Sequence, residues 1–273
     1  MYTLVGLWPP HPGLARFRLV WTDRHGGVSS GPYGSLNLSL TVGDERRSVI
    51  VNRQRLAAAL GISAASCVWC EQNGQAKVRE VAAADFGRGL TDPAEALADC
   101  DGMVATAAAA GLESKALFLL GADDLMLALV DPEAGIGGVF HFGCRELLAG
   151  LPDRAVEALV KAGAQMARIR GFASPHACAE RLEVHEDVRK ECIQKYGMWV
   201  EMLFRQTGPR KFLFDLQGLL VARLTAAGMP QANLQTSLEC TISRTDLLFS
   251  ETYARKAGHS TGRQGLLLIL DPA

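Results

Sequence analysis

Apolar positions in this chain fall into short runs separated by turn residues, and the pattern is densest between Lys115 and Gly150. Ala116–Leu120 and Leu125–Val130 flank the acidic pair Asp123–Asp124, and a third run, Ile136–Phe140, ends at His141. Short apolar runs bounded by Gly, Pro and Asp read as buried strands, too brief for helices. The segment Asp131-Pro132-Glu133-Ala134-Gly135 is the turn between the second and third runs. Two carboxylates and an imidazole therefore stand at strand ends, where side chains converge. Ionised groups beside so much apolar sequence are costly unless paired or bound to something. Asp123, Asp124 and His141 mark the stretch as a candidate site on that ground.

The remaining chain supplies mixed elements. Residues 1–21 read as one or two apolar strands ending near Val20–Trp21. Thr22–Leu38 is a long loop rich in glycine. It carries Arg24, suited to bidentate anion binding, and Asn37, with donors and an acceptor. Asp44 is placed to cap a helix through Leu60, stopped by Gly61, with Val49, Arg53, Leu56 and Leu60 on one face. Cys67–Glu71 and Lys77–Val81 read as paired strands around Gln72-Asn73-Gly74, since Asn-Gly is a strong turn dipeptide. Further strands are expected at Asp101–Ala105, Met166–Phe172, Asn233–Leu238 and Leu266–Leu270. Helices are expected at Arg145–Gly163, with a break or restart at Pro152, at His185–Tyr196 and at Leu216–Ala227. The irregular interleaving, without repeat or linker, predicts a single α+β domain over residues 1–273 rather than a doubly wound sheet.

Charge and cysteine content narrow the function classes. A formal net charge of −1 gives no electrostatic case for nucleic acid or a membrane surface. No apolar run approaches the roughly 20 residues of a membrane span, and the N-terminus lacks a signal-peptide pattern. The seven cysteines, Cys67, Cys70, Cys100, Cys144, Cys178, Cys192 and Cys240, suit reduced thiols in a cytoplasm better than a disulfide framework. Cys67-Val-Trp-Cys70 has no second pair, and a strand there sends the two thiols to opposite faces.

Several segments, in order, resemble the bacterial YfiH or laccase-domain family, also labelled multicopper polyphenol oxidase. They are Thr22-x-Arg24-x-Gly26-Gly27-Val28-Ser29, Gly31-Pro32-Tyr33-x-Ser35-Leu36-Asn37-Leu38, Val42-Gly43-Asp44 and Asn52-Arg53. Ala122-Asp123, His141-x-Gly143-x-Arg145, Glu183-Val184, Cys240-Thr241, Phe249-Ser250 and Thr261-Gly262-Arg263 follow. The resemblance implies packed mixed β-sheets flanked by helices, and a cytoplasmic enzyme acting on purine nucleosides by phosphorolysis or deamination. It also implies a zinc or copper site built from a histidine in Gln-x-His-Gly, a cysteine in Ala-Asp-Cys and a histidine in His-Ala-Gly-Trp-Arg-Gly.

Here the chain departs from the pattern. The three ligand positions fall on Asn73, Asp124 and His141, so only the last is retained. Asparagine is a poor zinc ligand, and the set as a whole is harder and weaker than His/Cys/His. Arg24, Asn37 and Arg145 are kept as the expected substrate and phosphate contacts. The expectation is a divergent family member with a remodelled metal site, weak or absent metal, and weak activity through an Asp124–His141 acid–base pair. One alternative is a non-catalytic nucleoside- or anion-binding relative. The other is a thiol-dependent hydrolase using Cys144 activated by His141.

Overall fold

The computed structural model describes residues 2–6 and 11–272; residues 7–10 of the N-terminal segment lie outside that range. A five-stranded mixed sheet runs β1 (Tyr2–Val5), β2 (Phe17–Thr22), β14 (Gln264–Leu270), β6 (Lys115–Gly121), β3 (Cys67–Trp69). A six-stranded mixed sheet runs β13 (Leu234–Thr236), β9 (Arg170–Ala173), β7 (Leu125–Asp131), β8 (Ile136–Phe142), β5 (Gly102–Thr106), β4 (Val78–Glu80). A small antiparallel sheet, β10 (Glu183–His185), β12 (Lys211–Phe214) and β11 (Phe204–Gly208), stands apart from both. The helices are α1 (Arg46–Ala59), α2 (Cys144–Ala149), α3 (Leu151–Lys161), α4 (Glu186–Tyr196), α5 (Leu216–Ala226) and α6 (Glu251–Ala257). This is the α+β architecture of packed mixed sheets with outer helices that the sequence predicts.

The unbroken apolar run of β7 has a direct cause: both its faces are covered. Met126, Ala128 and Val130 face the five-stranded sheet, meeting Leu117 and Leu119 of β6 and Leu266 and Leu268 of β14. Leu125, Leu127 and Leu129 face α2, α3, α5 and the small sheet. Strand alternation assigns successive residues to opposite layers, and a strand buried on both sides carries no polar face. Gly137 lets the sheets close together, because a Cβ there would meet Leu268 Cδ2 at 2.6 Å. The outer face of the five-stranded sheet is covered by Leu56 and Ala57 of α1 and Leu60 just beyond it, with Leu36 and Leu38.

Three expectations change. The Cys67–Glu71 and Lys77–Val81 segments do not form a hairpin. β3 pairs with β6 in one sheet and β4 with β5 in the other, both parallel. The intervening loop is held by the buried Asp101, whose carboxylate accepts from Gly74 N at 2.8 Å and Ala76 N at 2.6 Å. Gln72 and Ala76 take positive φ values of 52° and 56°, which no two-residue hairpin turn would need of them. Asp44 is not the N-cap of α1; Glu45 is. Asp44 instead accepts from Ser29 Oγ and Asn37 Nδ2, tying the glycine loop. Finally, Met166–Arg168 is a 3-10 turn, and the strand starts at Arg170.

The acidic pair marks the crossing between sheets. β6 belongs to one sheet and β7 to the other, and Ala122–Asp124 carries the chain across. Asp123 sits at φ 85°. Its carboxylate accepts from Thr241 Oγ1 and Thr252 N, both at 2.6 Å, and its carbonyl accepts from Ala177 N at 2.8 Å. Asp123 is thus a structural anchor, and Asp124 alone faces the cavity described below. Asp123→Ala is expected to lower stability by about 2 kcal/mol, the scale of hydrogen bonds to a charged acceptor lost together. Asp123→Asn should lose less, since Asn tolerates positive φ. Urea unfolding curves with unchanged slope check both.

At the far end of β7, buried Asp131 accepts from Glu133 N, Ala134 N, Gln165 N and the Arg168 guanidinium. Burial alone would raise its pKa. The Arg168 bond and the backbone N–H groups outweigh that and hold it below the usual carboxylate value. A depressed folded pKa gives stability that is present above the unfolded value of about 4 and lost as pH falls through the folded one. Asp131→Asn should therefore lose stability at pH 7 and show a flatter decline below about pH 4 than wild type, read from urea midpoints across pH.

Candidate functional site

A cavity of about 360 Å³ opens where β3 and β6 end and β14 begins. Its wall includes Ser39 and Thr41 from the glycine-loop region, Arg53 from α1, and Trp69, Glu71 and Gln72 from the end of β3. Asp124, His141 and Arg263 complete it. The volume falls in the range of small-ligand sites. Gln72 is a fixed part of the wall: its amide bonds both the N–H and the carbonyl of Leu120, at 2.9 and 2.6 Å.

His141 is the penultimate residue of β8, largely buried, with its own N–H on Asp101 O at 2.8 Å. Its Nε2 lies 3.3 Å from Asp124 Oδ2, and its Nδ1 lies 3.7 Å from Glu146 Oε1. Glu146 reaches that place because α2 begins directly after β8. As the third residue of α2, it also accepts from Gly143 N at 2.9 Å, closing the helix start. Burial alone would push the imidazole pKa down. The bond and charge of Asp124, joined by Glu146, outweigh it and raise the pKa to about 10. Burial likewise pushes Asp124 and Glu146 up, and in both the His141 cation reverses the sign and holds them low. Arg263 and Arg145 add to the effect at Asp124.

The structure brings together Asp124 and His141 and leaves the other expected positions off the cavity wall. Asn73 turns its amide to Asp99 Oδ1 at 2.9 Å, with Glu71 Oε2 at 3.4 Å. Arg24 donates to Gly34 O and Thr245 O and stacks over Phe249. Asn37 is fully buried; its amide donates to Ser39 O and Asp44 Oδ2, and its oxygen accepts from Ser39 N and Arg263 N. Asn37 therefore holds two wall residues from behind. Arg145 is exposed on α2 and packs on Gly74, where a Cβ would meet its Cδ at 2.3 Å. Cys144 packs against the core, and burial, with the charges of Asp124 and Glu146, pushes its thiol up to about 12. At that pKa it is no nucleophile at neutral pH.

Sequence reasoning missed Arg263, Arg53, Trp69 and the part played by Glu146. Arg263 pairs with Glu251 at 2.8 Å, as a residue that ties down the C-terminal segment should, yet it also lines the cavity. Glu146 was visible only as a departure from the glycine of the family motif.

The side chains present do not fit a tightly held zinc or copper ion. Among the described residues, no three His, Cys, Asp or Glu side chains form a metal-holding group. Asp124 and His141 are the two family ligand positions that stand together, and a carboxylate with one imidazole is a harder, weaker set than His/Cys/His. Asn73, at one implied ligand position, points elsewhere. Protein purified without added metal is expected to carry well below one equivalent of either ion by elemental analysis. Asn73→His with Asp124→Cys should raise occupancy, because it supplies a second imidazole and a thiolate.

Comparison with known proteins gives consistent matches. A family model described as multi-copper polyphenol oxidoreductase laccase matches residues 18–271. The chain is 35% identical over 263 residues to a purine nucleoside phosphorylase, ORF3, of Streptomyces griseus, covering 96% of this chain and 97% of that one. It is 28% identical over 231 residues to an adenosine deaminase, RL5, of an unknown prokaryotic organism, covering 85% of each. The crystal structure of YlmD from Geobacillus stearothermophilus superposes with a TM-score of 0.87 at 30% identity, covering 96% of this chain and 94% of that one.

Proposed function

The chain belongs to the multi-copper polyphenol oxidoreductase laccase family, and from that membership we propose that its cavity binds a purine nucleoside on which Asp124 and His141 carry out slow acid–base chemistry. The observation that carries this reading is the Asp124–His141 pair, 3.3 Å apart, on the wall of a cavity of nucleoside size. The names of relatives that match along most of the chain, phosphorylase and deaminase, support the substrate class.

The geometry supports the following roles. His141, set between two carboxylates, is the proton donor. As the bond from the sugar to the purine breaks, its electron pair passes to the base, and His141 protonates a ring nitrogen. Asp124 orients the imidazole and, half-exposed at the wall, accepts the proton of the attacking water or phosphate. General acid–base help of this kind is worth about 10²–10⁴-fold. Because Asn73, Asp124 and His141 make a weaker metal set than His/Cys/His, and a bound cation is what lowers the pKa of water toward about 7, slow turnover is the expectation. Arg24 and Asn37 serve substrate binding by fixing the loop behind Ser39 and Arg263, and Arg145 contributes charge near Asp124. No helix is long and apolar enough to cross a membrane among the described residues, and the site acts in the cytoplasm on this reading.

Calorimetry and chromatography with adenosine and inosine, with and without phosphate, test it. Binding with weak turnover is expected. Free base with sugar phosphate reports phosphorolysis, and inosine from adenosine reports deamination. Asp124→Asn should lower turnover at least tenfold and leave nucleoside affinity within about threefold, separating a chemical from a binding role. Absence of nucleoside binding at millimolar concentration, or brisk turnover that survives Asp124→Asn, would overturn the reading.

A further inference from the structure

Two cysteines that the site chemistry does not use stand against each other beside the Asp123 crossing. β9 and β13 run parallel and side by side, and their pairing resumes beyond the strand ends at His176 and Cys240. That register brings Cys178 onto Cys240. The Cys178 N–H donates to the Cys240 sulfur at 3.3 Å, and a hydrogen bond also joins the two thiols. Both cysteines are free thiols. Ser243, in the turn that follows Cys240, donates to its sulfur as well. Cys240 is 8% exposed and Cys178 is half-buried, while their chain neighbours Glu180, Leu238 and Ser243 are exposed. The pair therefore lies at the surface, within reach of a small oxidant.

The two thiols differ in a way that divides the work. Burial alone would raise the pKa of Cys240. The bonds it accepts from Cys178 and Ser243 outweigh burial and hold it below the ordinary thiol value, and the thiolate is the nucleophilic form. Burial, with the Cys240 sulfur and Glu180 beside it, pushes Cys178 up to about 12. The Cys240 share of that rise vanishes once the Cys240 sulfur no longer carries charge. Glu180 also accepts from the Cys178 thiol, which gives that proton a place to go. A second thiol pair, Cys70 and Cys100, lacks these features: Cys100 is wholly buried, and burial pushes Cys70 well above the ordinary value.

We propose that Cys178 and Cys240 form a reversible oxidation site for peroxides, closing to a disulfide that clasps the Asp123 crossing. The Cys240 thiolate attacks one oxygen of the peroxide, the O–O bond breaks, and the other oxygen leaves as water or alcohol with a proton from solvent. Cys240 is oxidised by two electrons to the sulfenic acid, and the peroxide is reduced. The Cys178 sulfur then attacks the sulfenic sulfur, its proton passing through Glu180 to the departing hydroxide. The S–O bond breaks, water leaves and the disulfide forms. A dithiol reductant, itself oxidised to its disulfide, returns both thiols. The new bond falls between two residues that hold Asp123. Ala177, next to Cys178, donates to its carbonyl, and Thr241, next to Cys240, donates to its carboxylate.

The reduced full chain is treated with hydrogen peroxide, quenched with catalase, alkylated in denaturant and digested with trypsin without reductant. The dose is set so that the exposed Met202 begins to oxidise. Mass spectrometry should then show the Cys178 peptide joined to the Cys240 peptide, with the other cysteines alkylated, and dithiothreitol should reverse the link. The oxidised chain should melt about 4 °C or more above the reduced one, because the disulfide restricts the unfolded chain while its ends already meet in the folded one. Cys178→Ser should leave Cys240 as a sulfenic acid that dimedone traps, and Cys240→Ser should leave Cys178 unlabelled. Circular dichroism checks the folding of both variants, and the wild-type cross-link decides alone where a variant does not fold. Both thiols still free at that dose, a cross-link between Cys70 and Cys100 in their place, dimedone on Cys178 instead of Cys240, or an unchanged melting temperature overturns the proposal.

Discussion

The geometry of this protein depends on how one short segment crosses between two sheets. β6 and β7 are consecutive in sequence yet lie in different layers, so Ala122–Asp124 must change layer at once. Asp123 makes that possible by adopting a positive φ and fastening its carboxylate to Thr241 and the start of α6. The neighbouring Asp124 is then aimed the other way, at His141 on β8. A structural carboxylate and a cavity-lining carboxylate stand side by side because a single anchored kink separates their directions.

Around His141 the electrostatics are self-contained. Two carboxylates face one imidazole, and each partner stabilises the charged form of the other against burial. Such a cluster suits proton donation. Glu146 is part of it. It enters because the strand–helix junction after β8 places the third residue of α2 directly behind the ring, where it also caps the helix. A residue recruited for helix capping thereby acts on the chemistry of the strand before it.

The other wall has the opposite character. Arg53 is held by three carbonyls and a tryptophan face rather than by an acid, so it contributes charge to the cavity as well as rigidity to the loops it ties. One cavity thus pairs a neutralised ionic cluster with an unneutralised cation.

Much of this was legible in the sequence. The apolar runs at 116–120, 125–130 and 136–140 marked buried strands, since a strand covered on both faces needs an unbroken apolar run. Pro152 marked the restart of a helix, because proline fits a first turn. The segments around Arg24, His141 and Arg263 carried the family resemblance. Other features depended on tertiary placement. Asn-Gly at 73–74 signalled a hairpin, but Asp101, distant in sequence, holds that loop open between two sheets. Arg24 and Asn37 carry donors suited to a ligand, but neighbouring carbonyls and Asp44 take them. Nothing local distinguishes Asp123 from Asp124, or shows that Arg53 on an apolar helix face meets Trp69 at a cavity. Sequence fixes which groups can pair; which of them do pair is decided by contacts between residues far apart in the chain, formed only when the two sheets close.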